Sequence, residues 1–230
     1  MSNSIIFKGV NSGDIDGLLI SELPAISRAS RRTQTTKVDG MDGDVVDYLG
    51  YDPYKRELTI GLTRNFDIDE VINFFTGEGW AIFSNEPTKR YYVRFEDGFD
   101  LDRLVRFRKG KITMVAQPYK KLVSEADVVG TASVTVENLG YEKSQPIITI
   151  EAAADAELVL TLDGDDMMNI VMPAEGEIVI DSEALNCYNS NADKNQYVEG
   201  GFIELTHGEH TIAVTGGATA LTVTPNSRWL

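Results

Sequence analysis

The sequence predicts a mainly β protein with an N-terminal mixed β domain over residues 1–125 and an antiparallel β-sandwich over residues 126–230. Apolar and polar residues alternate over short runs, which is the period of a β-strand. Turn signals such as Asp-Gly and Gly-Gly separate these runs. Charge also divides the chain, because residues 1–125 hold 18 Lys and Arg against 19 Asp and Glu, whereas residues 126–230 hold 3 against 17. This asymmetry favours two domains with different surfaces and different partners.

The first domain is expected to begin with strands over residues 5–10 and 17–23, and Pro24 ends the second of them. A protruding β-hairpin follows, because the alternating runs 33–38 and 45–49 flank a turn rich in Asp-Gly pairs. Its first strand carries charged and hydroxyl side chains and little that would fill a core. The hairpin is therefore either an ordinary exposed hairpin or a surface that another subunit covers.

One helix is predicted over residues 67–76, where apolar residues recur at helical spacing. Asp67 and Glu70 form an N-cap pair at its start, and Gly77 ends it. The aromatic residues of the helix, together with Trp80, are expected to fill the core of the first domain.

Further strands are expected over 55–62, 80–84, 90–96, 101–108 and 111–117. The stretch 103–111 is dense in Arg and Lys, and as a strand it would place charge on both faces. Such a strand is either a solvated edge or a surface that faces an acidic neighbour.

The second domain shows short alternating runs with turn signals between them, which favours a sandwich. The predicted strands are 132–137, 147–151, 157–162, 169–172, 177–180, 201–205, 211–215 and 220–224. Residues 186–200 are expected to form a long polar loop.

Composition excludes several classes of protein. No run of about 18 apolar residues occurs, so a membrane span is not expected, and no secretory signal is visible. The single cysteine, Cys187, excludes an internal disulfide and a cysteine-based metal cluster. The acidic half lacks the cationic surface that phosphate groups require, so sequence-specific nucleic-acid binding is not expected.

The sequence contains no convincing catalytic motif. His207 and His210 are separated by three positions with a glycine between them, which differs from the zinc-binding His-Glu-x-x-His helix and indicates a hairpin turn. The Asp-rich stretches 39–44 and 163–166 lack the ligand pattern of an EF-hand loop and are interpreted as Asp-Gly turns. We therefore predict no catalytic residue, no metal, no cofactor and no enzymatic activity.

The order of several short motifs resembles that of siphophage distal tail (Dit) proteins. In the first half these are Phe7-Lys-Gly9, Pro24, the basic stretch 28–32, Gly40-Met-Asp-Gly43, the runs 57–62 and 71–75, Tyr91-Tyr-Val-Arg94 and Gln117-Pro-Tyr-Lys120. In the second half they are Asn138-x-Gly140, Ser144-x-Pro146-x-Ile148 and the closing stretch 201–229. The resemblance covers almost the whole chain.

The resemblance implies that the second domain is a galectin-like sandwich and that the chain is a structural hub of a phage tail. Members of the family form a ring, expected to be hexameric, between the tail tube protein and the tail-tip and host-adhesion components. The expected place is the virion tail, assembled in the cytoplasm of the host bacterium. The alternative is a carbohydrate-binding module, but the acidic half has only Trp229 and Arg228 to stack on or bind a sugar. An enzyme is the third hypothesis.

Charge segregation in the first domain predicts where subunits of a ring would meet. A ring needs a heterologous contact, in which two different surfaces of one subunit meet those of its neighbours. Basic and acidic clusters near the hairpin and in 103–111 suit such a contact. The predicted interface residues are Arg28, Arg31, Arg32, Thr33, Thr35, Lys37, Asp39, Asp42, Asp44, Arg106 and Arg108. Charge reversal at Arg31 and Arg32 is expected to block assembly and to leave the fold intact.

Overall fold

A computed structural model describes residues 3–96, 101–190 and 192–230, with the backbone alone for residues 101–103. The chain divides into two compact units, residues 1–123 with Leu230 (unit 1) and residues 124–229 (unit 2). Both units are built mainly from antiparallel strands, so the predicted mainly β fold class is confirmed. Within the described part of the chain, neither helix has the length and apolar character to cross a membrane.

Unit 1 consists of a long curled sheet, a separate two-stranded sheet and two helices. In chain order its elements are β1 (Ile5–Phe7), β2 (Val10–Asn11), β3 (Leu18–Glu22), β4 (Arg31–Thr36), β5 (Val45–Tyr51), β6 (Tyr54–Leu62), α1 (Ile68–Phe74), β7 (Glu78–Phe83), β8 (Lys89–Phe95), α2 (Leu101–Phe107) and β9 (Lys109–Leu122). The main sheet has the antiparallel order β2-β1-β7-β8-β9-β6-β3, and β4 pairs with β5 alone.

Helix α1 covers one face of the main sheet, as the sequence predicts. The Asp67 side chain accepts hydrogen bonds from the backbone N–H groups of Asp69 and Glu70, so the predicted N-cap is confirmed. Phe74 and Phe75 are buried, and the Phe75 ring packs edge-on against Phe95 with 5.2 Å between ring centroids. The helix therefore closes the core of unit 1.

Two predictions for unit 1 are wrong. Residues 101–107 form α2 instead of a strand, so unit 1 has a second helix. Leu104, which is 1% exposed, anchors α2 to the core, whereas residues 105–109 are all exposed. A helix allows one apolar anchor to be buried while its charged neighbours remain in water. Trp80 does not fill the core either, because Ala81 and Phe83 of β7 face inward and strand alternation directs Trp80 to the opposite face.

Unit 2 is a sandwich of two antiparallel sheets. Its strands are β10 (Val128–Gly130), β11 (Ser133–Asn138), β12 (Ile147–Ala152), β13 (Glu157–Leu162), β14 (Asp165–Val171), β15 (Glu177–Asp181), β16 (Asn186–Asn189), β17 (Ala192–Asp193), β18 (Val198–Gly200), β19 (Gly208–Thr215) and β20 (Ala218–Thr224). A short last strand, β21 (Arg228–Trp229), belongs to neither of these two sheets. One sheet has the order β10-β20-β12-β15-β16-β17 and the other has the order β11-β19-β13-β14-β18.

The two sheets of unit 2 bury alternate residues between them, such as Ile148 and Ile150 from one and Leu158 and Leu160 from the other. Cys187 belongs to this core, and burial, assisted by the charge of Asp193, raises the pKa of its thiol to about 11. This thiol is therefore a packing group and not a nucleophile.

Two predictions for unit 2 also need correction. Residues 201–205 are not a strand, and only Leu205 forms an isolated bridge, with Ser144. Residues 186–200 are not a structureless loop, because they contain β16, β17 and β18. The polar strands within residues 186–200 bury few side chains, so their sequence shows little apolar alternation. Residues 201–205 show such an alternation, but an apolar run can fill a core without pairing as a strand.

Candidate functional site

The most unusual feature of unit 1 is the hairpin formed by β4, β5 and their connection, which we call the arm (residues 31–50). Every residue of the arm is exposed. Thr33 pairs with Tyr48 and Thr36 with Val45 in antiparallel register, and the register shifts between Arg31 and Thr33. No described core residue of unit 1 comes from the arm. The arm is thus ordered by its own pairing and protrudes from the core.

The arm exposes apolar side chains that are absent from the predicted interface. Their exposed fractions are 48% for Val38, 52% for Met41, 38% for Val45, 41% for Val46, 66% for Tyr48 and 46% for Leu49. A two-stranded hairpin alone is marginally stable in water, and both of its edges present unpaired backbone groups. Clustered exposed apolar residues mark interaction surfaces. The arm therefore has the properties of a surface that a partner covers.

Two of the predicted interface cations brace the arm itself. The Arg31 guanidinium lies over the rings of Tyr48 and Tyr51, at 4.9 Å and 5.7 Å from their centroids. The Arg32 Nη2 donates a hydrogen bond of 2.9 Å to the carbonyl oxygen of Leu49 across the hairpin. Charge reversal at Arg31 and Arg32 would consequently loosen the arm as well as change its charge.

The segment that leads into the arm is tied to the main sheet by side chains. Asn85 Nδ2 donates a 3.1 Å hydrogen bond to the Pro24 carbonyl, and Arg56 Nη2 donates a 3.0 Å hydrogen bond to the Ala25 carbonyl. At the other end, Asp52 N donates to the Ser30 carbonyl at 3.0 Å. These bonds fix the root of the arm, which sets the direction in which the arm leaves the sheet.

Arg56 is a buried cation that the sequence analysis did not predict. It is 4% exposed, and its guanidinium lies 4.9 Å from the Phe83 ring centroid and 4.4 Å from that of Tyr91. Next to it, the Tyr91 hydroxyl donates to Glu86, and Lys120 Nζ lies 3.0 Å from Glu86 Oε1. Burial raises the pKa of the Glu86 carboxyl, but the hydrogen bonds from Tyr91 and Lys120 outweigh it and lower that pKa. The root of the arm thus rests on a buried network of charged and aromatic groups.

The structure separates the predicted interface residues into distinct places. Arg31, Arg32, Thr33 and Thr35 lie on β4, where they are exposed. Four others lie in the connection between β4 and β5, which we call the tip (residues 37–44): Lys37, Asp39, Asp42 and Asp44. Arg28 is exposed in the segment before the arm. All of these residues therefore remain available to a partner, and their role at an interface stays a prediction.

Arg106 and Arg108 lie where α2 meets β9, a region that we call the corner (residues 104–109). The Arg106 guanidinium lies 5.5 Å from the centroid of the Phe107 ring. Arg108 Nη1 donates a 2.5 Å hydrogen bond to the Thr63 carbonyl, and its guanidinium lies 5.5 Å from the Phe66 ring centroid. Beside these cations, Val105 and Phe107 are 44% and 65% exposed. The corner therefore combines positive charge with exposed apolar surface.

The histidines of unit 2 do not converge on one site. His210 Nδ1 lies 2.7 Å from Asp163 Oδ2, while His207 Nδ1 lies 3.0 Å from the Gly140 carbonyl oxygen. Among the described residues, no three His, Cys, Asp or Glu side chains are grouped to hold a metal ion. Each histidine thus bonds a separate neighbour on a loop of the sandwich.

We expect Asp163→Asn to lower the stability of unit 2 at neutral pH and to have a smaller effect at pH 3, below the ordinary pKa of the carboxyl. Hydrogen bonds from His210 and from the backbone N–H of Thr211 lower the pKa of Asp163 below its usual 3.8. A lowered carboxyl pKa contributes stability above its unfolded value, and this contribution disappears as the pH falls through the folded value. Because Asp163 is largely exposed, the effect at pH 7 should be about 1 kcal/mol or less.

Urea unfolding of both proteins at pH 7 and pH 3 measures this difference. Asn tolerates the left-handed backbone at this position, where φ is +53°, so the substitution adds little strain. A loss of stability that is the same at both pH values would show that the Asp163 carboxylate is not its cause.

No protein-family model matches the sequence, and no curated protein is significantly similar to it. Among solved structures, the chain matches the crystal structure of the SPP1 Dit protein, described as a paradigm of the hub adsorption apparatus in phages that infect Gram-positive bacteria. The match covers 100% of both chains with a TM-score of 0.72 and 18% sequence identity. The chain has the fold of a distal tail protein.

A second match agrees with this distal tail protein fold. A chain of the phage P2 baseplate, in its activated conformation with Ca, has a TM-score of 0.53 and 8% identity over 97% of this chain and 98% of that chain. In both cases the likeness extends over units 1 and 2. Since the identities are low, the likeness concerns the path of the backbone, and the side chains of the arm and corner are properties of this chain.

Proposed function

We propose that this protein is a structural component of a phage tail or baseplate. It forms a ring-shaped hub that joins the tail tube to the tail tip and to the host-adhesion components. The full-length likeness to a Dit hub supports this proposal. The observation that carries it is the arm, which exposes twenty consecutive residues of a hairpin, residues 31–50, with apolar side chains among them. Unpaired strand edges and exposed apolar side chains become stable when a neighbouring subunit covers them, which is the situation in an assembly. We propose no catalytic role.

An arm that projects from one side of a subunit favours a ring over a two-fold dimer. The arm of one subunit contacts a different surface on the next, and repetition of this heterologous contact about an axis closes a ring. The number six comes from the resemblance to distal tail proteins. In this proposal the ring belongs to the virion tail and is assembled in the cytoplasm of the host bacterium.

Light scattering over a range of protein concentrations, with negative-stain electron microscopy, tests the ring. We expect particles with a mass near six times the 25.4 kDa of one chain. The fraction in rings should increase with concentration and decrease with salt, since charged surfaces contribute to the contact. A chain that remains monomeric at every concentration, and in mixtures with the tail tube protein from the same phage, would contradict the proposal.

Unit 2 is proposed to stay apart from its copies within the ring and to face a cationic partner. Its three cations are already engaged: Lys143 with Glu204 at 2.9 Å, Lys194 with Glu175 at 2.8 Å, and Arg228 with Gln145 at 2.8 Å. The carboxylates in excess thus give unit 2 a strongly negative surface. Arg228 is one of the few groups expected to bind a sugar, but its guanidinium already bonds Gln145. This contact does not favour the carbohydrate-binding alternative.

We expect the isolated fragment 124–229 to be a monomer at all concentrations, because like charges repel. The fragment keeps its own core and the hydrogen bond of 2.9 Å from the Ser227 N–H to Glu125 Oε2. It should bind no common oligosaccharide more tightly than about millimolar, because its three cationic side chains are already engaged within the unit. Sedimentation equilibrium and a glycan array measure both properties. Micromolar binding of one oligosaccharide would favour the sugar-binding hypothesis.

A further inference from the structure

A heterologous contact needs an acceptor surface for the arm, and the structure indicates which surface has the matching chemistry. We propose that the tip of the arm of one copy docks on the corner of the next copy, with Val38 and Met41 packed against Val105 and Phe107. The acids of the tip then lie beside the cations of the corner. This inference rests on the proposed ring and names both halves of its contact.

The tip carries apolar and acidic side chains in a defined turn. The Met41 N–H donates a 3.1 Å hydrogen bond to the Val38 carbonyl oxygen, and Gly40 and Gly43 adopt φ values of +83° and +89°. These glycines allow a tight turn that other residues would strain. Val38 and Met41 are about half exposed, at 48% and 52%. Three exposed carboxylates stand in the same eight residues: Asp39, Asp42 and Asp44.

The corner carries the complementary set. Val105 and Phe107 are exposed, and Arg106, Arg108 and Lys109 are exposed beside them. The corner is held firmly, because Leu104 is buried and the Leu62 N–H donates a 3.0 Å hydrogen bond to the Arg108 carbonyl. A rigid acceptor surface loses little conformational freedom on binding.

Leu19 of β3 lies on the same sheet as the corner residue Lys109. It pairs with Gly61 of β6, and Gly61 in turn pairs with Lys109 of β9. Leu19 is 54% exposed. The acceptor is consequently an apolar surface with cations beside it, which suits a partner that has apolar side chains and carboxylates.

The contact must be between two copies and not within one. The tip and residues 105–109 are all exposed within a single chain, so the tip does not cover the corner of its own copy. Unit 2 of another copy is a poor acceptor, because its excess of carboxylates would repel the acids of the tip. The corner instead offers opposite charge together with exposed apolar side chains.

Disulfide trapping tests the contact directly. In the variant Met41→Cys with Phe107→Cys, oxidation should link successive copies and give a ladder of covalent oligomers on a non-reducing gel. The matched control is Met41→Cys with Leu185→Cys, because Leu185 is 63% exposed and Phe107 is 65% exposed, but Leu185 belongs to unit 2. This control should give no ladder. The native Cys187 does not compete, since it is buried and its thiol pKa is raised to about 11.

A charge swap supplies a second, independent test. Arg106→Glu alone and Asp42→Arg alone should each weaken ring formation at least about tenfold, since like charges then meet at the contact. The double variant should recover most of this loss. Arg94→Glu, which reverses an exposed cation on β8, outside the tip and corner, should leave assembly within about twofold of the unaltered chain.

The outcomes separate this inference from the proposed function. If the unaltered chain forms rings, but the trapped ladder is absent and the charge swap does not recover assembly, the tip docks elsewhere and the inference is wrong while the ring stands. If the unaltered chain never associates, the proposed ring fails, and the contact fails with it.

Discussion

Excision of the arm abolishes ring formation and leaves the rest of unit 1 folded: this is the largest effect we expect from any change to the chain. The variant joins Ser30 to Asp52 through two glycines in place of residues 31–51. These ends are adjacent, because the Asp52 N–H donates a hydrogen bond of 3.0 Å to the Ser30 carbonyl. The arm contributes no described core residue, so its loss removes little buried apolar area.

Light scattering should then show a monomer at concentrations where the unaltered chain forms rings, and the circular dichroism spectrum should stay that of a folded β protein. Two milder variants act as controls. Arg31→Lys keeps the charge but loses the planar stacking on Tyr48 and Tyr51, and Arg32→Met loses the hydrogen bond to Leu49. Both should weaken assembly less than excision does. Normal rings from the excised variant would exclude the arm as the joint.

The strands of both units follow from alternation of polar and apolar residues with strong turn signals. Residues 157–162 are an instance, since the predicted bounds coincide with β13 (Glu157–Leu162). The helix at 67–76 was predictable for a similar local reason: Asp67 caps it, and its apolar residues recur at helical spacing. Local chemistry decides such elements before any long-range contact forms.

The wrong predictions concern features that depend on contacts between residues distant in the sequence. The apolar content of 101–108 suits either a strand or a helix, and the outcome depends on Leu104 reaching a core built by distant strands. Trp80 is large and apolar, but its neighbours Ala81 and Phe83 fix the inward face of β7. Such choices require the neighbouring elements, which a single sequence does not position.

The candidate contact was predictable only in part. The charges of the tip and the corner stand out in the sequence, and the arm follows from its Asp-Gly turn. The exposure of Met41 and Phe107 is invisible in sequence, because an apolar residue is expected to be buried by default. Arg56 was missed for the opposite reason, since an arginine within a strand is expected to reach solvent.

Replacement of Arg56 by alanine should destabilise unit 1 by about 3 kcal/mol or more, because the loss of a long buried side chain leaves a cavity beside two rings. The guanidinium is packed against Phe83 and Tyr91, and its hydrogen bond to the Ala25 carbonyl holds the root of the arm. Arg56→Met keeps most of the volume and removes a buried charge, so it should cost less than about 1.5 kcal/mol. Both variants should weaken ring formation, since both lose the hydrogen bond to Ala25 that holds the root of the arm.

Urea unfolding followed by tyrosine and tryptophan fluorescence measures the stability, and light scattering measures assembly. Arg64→Ala, which truncates an exposed arginine, should change stability by no more than about 0.5 kcal/mol. The Met variant separates the two roles of Arg56, because packing is largely retained while the bond to Ala25 is lost. If Arg56→Met assembled as tightly as the unaltered chain, the root of the arm would be held by the remaining bonds, and Arg56 would serve packing alone.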